Sequence, residues 1–185
     1  MTKDLKLFMV MLGCKPPGRH TEQHDIFFGI GKTLEELRPQ MLQFWPEAEG
    51  QIHIDAWREV RYVDGYAIKI VERGQKLDQN QLFFINLGGY KEQEFEEYHY
   101  KILTITPSKA EAIKTSKESV FYKHCGFDGA PSHIDDKYGV DVDDIYTIEE
   151  ILSEATKRKY QLSYTAAVTQ KEDQLHIGYL KIDNL

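Results

Sequence analysis

Leu7-Phe8-Met9-Val10-Met11-Leu12-Gly13 returns 75 positions later as Leu82-Phe83-Phe84-Ile85-Asn86-Leu87-Gly88, with four of the seven residues identical. The correspondence continues without gaps. Glu22-Gln23-His24 falls on Glu97-Tyr98-His99, Ile30 on Ile105, and Thr33 on Ser108. Further on, His53-Ile54-Asp55 matches His133-Ile134-Asp135 at an offset of 80, and Val63-Asp64 matches Val142-Asp143 at an offset of 79. Short apolar runs coincide by chance, but an ordered series with a slowly drifting offset does not readily do so. The chain is therefore expected to be an α+β protein made of two copies of one unit, too few for a solenoid.

Each copy reads as strand, strand, helix, strand, with room for a fourth strand. In the first, Leu5 to Leu12 has strand length, and Gly13, Pro16, Pro17 and Gly18 mark a loop after it. Asp25 to Ile30 is the second strand. Thr33 with Glu36 makes a capping box, and Leu34, Leu37, Met41, Phe44 and Trp45 follow helical spacing. Pro39 would remove a helical hydrogen bond, so a kink or a short turn is expected before it. Pro46 ends the element, and Gln51 to Ala56 and Tyr66 to Val71 supply strands. The second copy repeats this with strands at Gln81 to Leu87 and Tyr98 to Ile105, and a helix capped by Ser108 and Glu111. A longer loop, Tyr122 to Asp144, follows, and a short helix begins at Thr147. The alternation in Tyr160 to Ala166 and in Leu175 to Tyr179 then predicts a C-terminal β-hairpin. The expected layout is a first repeat over residues 5–72, a second over 80–152, and a hairpin extension over 153–185 packed on the second repeat.

This ββαβ(β) order points to a β-grasp (ubiquitin-like) roll. A ferredoxin-like split is the alternative, though it would begin strand-helix-strand. A Rossmann sheet is excluded because strands and helices do not alternate regularly.

The 185 residues are 41% hydrophobic and 12% aromatic, enough for a core. The net charge of −7 repels phosphate backbones, and no large Lys/Arg cluster offsets it, so no nucleic-acid partner is expected. The run Lys157-Arg158-Lys159 suits a helix end, where cations meet the macrodipole. The longest early apolar run, Leu7 to Leu12, is too short for a bilayer, and Met1-Thr2-Lys3-Asp4 does not open a signal peptide, so no membrane partner and a cytoplasmic location are expected. Cys14 and Cys125 then read as free thiols.

Several segments resemble a family. They are Leu12-Gly13, Glu22-Gln23-His24-Asp25, Phe44-Trp45-Pro46-Glu47-Ala48, His53-Ile54-Asp55-Ala56, Val63-Asp64-Gly65-Tyr66 and Asn86-Leu87-Gly88-Gly89-Tyr90. With Phe121-Tyr122-Lys123-His124 and the run His133 to Asp141, they look like a bacterial family known as domain of unknown function 1543. The resemblance spans roughly residues 6 to 152. It implies a soluble bacterial protein and brings no catalytic residues with it.

Each copy carries the same polar set: Glu22, His24, His53 and Asp55 in the first, and Glu97, His99, His133 and Asp135 in the second. Side chains two apart in a strand share a face. If the strands are neighbours, two imidazoles and two carboxylates converge. Such a set suits a divalent ion such as zinc, manganese or iron, or a carboxylate-oriented histidine acting as general base. A histidine beside a carboxylate is also an ordinary way to satisfy a buried polar group, and duplication preserves structural residues too. No cofactor is specified. Cys14, His20 and His24 match no standard zinc spacing. His124-Cys125 carries no sign of a lowered thiol pKa. The acidic run Asp135, Asp136, Asp141, Asp143 and Asp144 fails the EF-hand order. Gly88-Gly89 opens no phosphate loop, and Asp183-Asn184-Leu185 is not a conjugation tail.

Two functions of different class follow. With 11 Tyr, 9 Phe and 2 Trp and no specific catalytic motif, the first is a soluble binding or protein-interaction module, with which a homodimer is compatible. The alternative is a metal-dependent or His/carboxylate hydrolase using the repeated Glu-x-His and His-x-Asp sets.

Overall fold

The computed structural model describes residues 2, 4–75, 79–90, 93–117, 142–167 and 172–185. The chain divides into two compact units. One combines Met1–Asp78 with Leu152–Leu185, and the other is Gln79–Ile151.

In the first unit, β1 (Lys6–Cys14) pairs antiparallel with β2 (Gln23–Gly31) on one side and with β3 (His53–Glu59) on the other. β10 (His176–Lys181) joins β3, giving the order β10-β3-β1-β2. Alternate residues of β1, namely Phe8, Val10, Leu12 and Cys14, point into one core with Phe27, Leu37, Met41 and Ile54. Each such large apolar side chain contributes roughly 1.5–3 kcal/mol by leaving water. The helix over this core begins as expected. The Glu36 N–H donates to Thr33 Oγ1, and the Glu36 carboxylate accepts from the Lys32 N–H. A 3-10 turn, Glu35–Leu37, precedes α1 (Arg38–Phe44), so Pro39 falls in the first α-helical turn, where it displaces no bond. Pro46 opens a second 3-10 turn, Pro46–Ala48.

A second sheet of this unit has the order β4-β5-β9, built from β4 (Tyr62–Val63), β5 (Tyr66–Glu72) and β9 (Tyr160–Ala166). Asp64 and Gly65 join β4 to β5 with φ of 50° and 77°, the two-residue turn that matches strand twist.

In the second unit, β6 (Gln81–Tyr90) lies between β7 (Glu97–Thr106) and β8 (Val142–Thr147), again antiparallel throughout. Phe83, Ile85, Leu87 and Ala112 form its core, with Ala112 supplied by α2 (Lys109–Lys117). The Glu111 N–H donates to Ser108 Oγ. α3 (Ile148–Ile151) starts at a reciprocal cap between Thr147 and Glu150. In the first unit, α4 (Glu154–Lys159) is capped by Ser153 and ends on Lys157, Arg158 and Lys159, as the macrodipole favours. No helix among the described residues is long and apolar enough to cross a membrane.

The α+β reading and the strand-strand-helix-strand order hold, with every strand pairing among the described residues antiparallel. Several finer expectations are corrected. β1 runs through Gly13 and Cys14, because β2 and β3 both give Gly13 a ladder partner. A β-grasp roll sets a parallel strand beside the first strand of its hairpin, whereas β3 lies antiparallel to β1. A ferredoxin-like split is not met either, since each unit begins with two strands. The C-terminal strands do not form a hairpin on the second unit: β9 pairs with β5 and β10 with β3, both in the first unit. Alternation tells which face of a strand is buried, not which strand it pairs with. Val142-Asp143 and Val63-Asp64 occupy different local structures: Val142 lies in β8 opposite Leu87, whereas Val63 lies in β4 opposite Tyr66.

Candidate functional site

Directly opposed residues of antiparallel strands project from the same face. Gly13 of β1 faces His24 on β2 and His53 on β3, so the three form one row across the sheet. The row lies on the face away from Leu12 and Cys14. With no side chain at its centre, the His53 imidazole and the Asp55 carboxylate lean over Gly13. A Cβ there would collide with His53 Nε2 and Asp55 Oδ2.

Asp55 joins them through an irregularity. The β1–β3 ladder shifts register between Met11 and Leu12, which leaves Asp55 without a partner in β1. The β10–β3 ladder shifts at the same level, where Gly178 and Tyr179 face only Asp55. Bulges of this kind re-aim a side chain. Asp55 Oδ2 lies 3.2 Å from His24 Nε2 and 3.2 Å from His53 Nε2. Glu22, just before β2, closes the other side. Its Oε1 is 3.1 Å from His53 Nε2 and its Oε2 is 3.9 Å from His24 Nε2. The ligand atoms of Glu22, His24 and His53 all lie within 4.8 Å of one another.

Asp55 Oδ2 is buried and makes no hydrogen bond, although two imidazole nitrogens stand at ion-pair distance. A buried carboxylate oxygen without a hydrogen bond is costly unless another charge meets it. Ligands held about 2.0–2.1 Å from a tetrahedral ion are spaced roughly 3.3 Å apart. Three of the four measured separations fall close to that value. His53 is buried while Glu22 and His24 are exposed, so the cluster is walled on one side and open on the other. With all four side chains on a tetrahedral ion no position is left, so a water or ligand would join only as an added fifth ligand from the open side.

The other candidates separate. Cys14 is a free thiol inside the core, and burial, then the charge of Glu22, pushes its pKa up. It is no ligand, and exposed His20 does not join the group. In the second unit Gly88 faces His99 as Gly13 faces His24, and His99 Nε2 is 4.0 Å from Glu97 Oε2. His133 and Asp135 lie outside the described residues, as do His124, Cys125, Asp136 and Asp141. The β6–β8 ladder shifts register between Asn86 and Leu87, and Asp143 stands at that step. Asp144 accepts from the Tyr146 hydroxyl.

Sequence reasoning missed three neighbours of the cluster. Gly13 reads as a turn residue, and only its recurrence as Gly88 signals more. Tyr179 sets its ring 4.6 Å from that of His53, and Lys181 is the partner of His53 in β10. Neither has a sequence signal beyond strand alternation.

A family model, Domain of Unknown Function (DUF1543), matches residues 19–70, the stretch that holds Glu22, His24, His53 and Asp55. The match covers a single stretch, narrower than the expected span of residues 6 to 152. No curated protein matches the chain. Among solved structures, the chain is similar to a protein Il1583 from Idiomarina loihiensis, with a TM-score of 0.66 and 21% identity over 97% of this chain and 98% of that one. At this identity the likeness is one of fold.

Proposed function

We propose that the first unit binds one divalent transition-metal ion, such as zinc, manganese or iron, through Glu22, His24, His53 and Asp55, and that the open side of this site serves hydrolysis. The observation that carries this reading is the orphaned Asp55 Oδ2, held between two imidazole nitrogens over a glycine. The donor set of two imidazoles and two carboxylates suits these ions. A bound ion of this kind lowers the pKa of a coordinated water and so supplies a nucleophile near neutral pH. His53 is buried, which restricts its ring, while Glu22 is exposed on the open side, where an incoming ligand would arrive.

Elemental analysis of protein purified without chelators tests this, together with calorimetric titration of zinc and manganese. One ion per chain, lost in a His53→Ala variant, is the supporting result. No stoichiometric ion, and titrations identical in wild type and variant, end the reading.

The recurrent register supports a further part of the proposal, that the two units are copies of one module. β1–β2 and β6–β7 share one register at an offset of 75, and both flanking ladders shift at the same step. On this view the repeats occupy residues 5–72 and 80–152.

A binding or protein-interaction role has its own observation. β10 is the edge of its sheet, and Leu175, Ile177 and Tyr179 are exposed there. An unpaired edge with apolar side chains suits strand addition by a partner. An Ile177→Lys variant that retains every partner captured by the wild type would count against it.

A further inference from the structure

The row of side chains across the first sheet does not stop at His53. Lys181 of β10 is the cross-strand partner of His53, so its side chain rises from the same face. It is exposed, and two strand spacings, about 10 Å, separate it from Gly13. Its flexible four-carbon stem is long enough to bring the ammonium within reach of the cluster. Tyr179 comes from the β10 irregularity opposite Asp55, with Gly178 at φ 144°, and lies beside the His53 ring while remaining 64% exposed.

We propose that Lys181 and Tyr179 make this a recognition site for a small organic carboxylate, with the carboxylate between the bound ion and the Lys181 ammonium and its body against the Tyr179 ring. The inference rests on the metal reading above. Charge balance selects the ligand. Glu22 and Asp55 neutralise a divalent ion, and Lys181 adds one positive charge that a monoanion cancels. Charge-assisted hydrogen bonds to an ammonium are short and strong, and an exposed aromatic ring offers apolar surface to a planar body.

The test uses the full chain loaded with cobalt(II), whose visible absorption reports ligation, titrated with benzoate and with acetate. Benzoate changes the spectrum saturably in the wild type. Lys181→Met weakens benzoate about tenfold without weakening cobalt binding, since it removes a positive charge near the ion, and Lys181→Arg restores most of the benzoate binding. Tyr179→Leu weakens benzoate more than acetate. A cobalt spectrum that ignores benzoate, or benzoate binding equal in wild type and Lys181→Met, overturns the inference and leaves the metal reading standing. Absence of any ligated cobalt spectrum overturns both.

Discussion

Gly13 and His53 face each other across β1 and β3, and the imidazole occupies the space that a side chain on residue 13 would need. A Gly13→Ala variant must therefore push His53 and Asp55 aside. Overpacking of this kind costs about 1–3 kcal/mol. The expected outcome is a folded protein by circular dichroism that has lost metal binding by elemental analysis. Undiminished binding would show that the cluster has another way to close.

The cluster of Glu22, His24 and His53 leaves Asp55 with a buried oxygen that makes no hydrogen bond. Metal should then stabilise the fold by mass action, about 2.7 kcal/mol at a hundredfold excess over Kd. In thermal unfolding this is a rise of about 2–4 °C per kcal/mol for a chain of this size. Asp55→Asn should unfold at a temperature that added zinc no longer raises. An equal rise in the variant would remove Asp55 from the ligand set.

Much of this was legible from residues alone. Glu22, His24, His53 and Asp55 are named by period-two spacing, but their convergence also needs β1 between β2 and β3 and the bulge at Asp55, which no local pattern shows. The helix start at Thr33 and Glu36 and the turn before Pro39 follow from capping and from the missing proline donor. Strand partnership was not legible. Tyr160 to Ala166 and Leu175 to Tyr179 alternate in sequence, but nothing local says that β9 and β10 join β5 and β3, 88 or more positions away. Gly13 shows the same limit, since glycine after an apolar run reads as a turn until a side chain from elsewhere fills its space. The dipeptides Val63-Asp64 and Val142-Asp143 look alike in sequence, yet one lies at the β4–β5 turn and the other in β8, because so short a match does not specify strand pairing.

Asp173 fastens the segment before β10 to the turn after β3. Its Oδ2 accepts the N–H groups of Arg61 at 2.8 Å and Tyr62 at 3.2 Å, and its Oδ1 lies 3.4 Å from Arg61 Nε. Burial pushes the Arg58 guanidinium below its usual range, and the charge of Asp173 works against that. Asp173→Ala would strand two donors and weaken this compensation, at a cost of about 3 kcal/mol. Asp173→Asn keeps an acceptor and should cost less. Urea unfolding near neutral pH ranks the two, and equal stability of both variants with the wild type would discount the clamp.

Cys14 gives the alkaline limb of stability. Burial first, and Glu22 second, raise its thiol pKa in the folded chain. An acid whose folded pKa exceeds its unfolded value favours the folded state fully only below the unfolded pKa, about 8.5 for a thiol. The stability tied to the neutral thiol is lost as pH climbs from there toward the folded pKa. In a Cys125→Ser background, Cys14 should resist iodoacetamide at pH 8 far better than a free thiol. Adding Cys14→Ala should flatten the fall in unfolding free energy above that pH, although the smaller side chain lowers stability at neutral pH. Glu22→Gln removes one of the two causes and should quicken alkylation at pH 9, whereas a rate unchanged by that substitution would mean that burial alone protects the thiol.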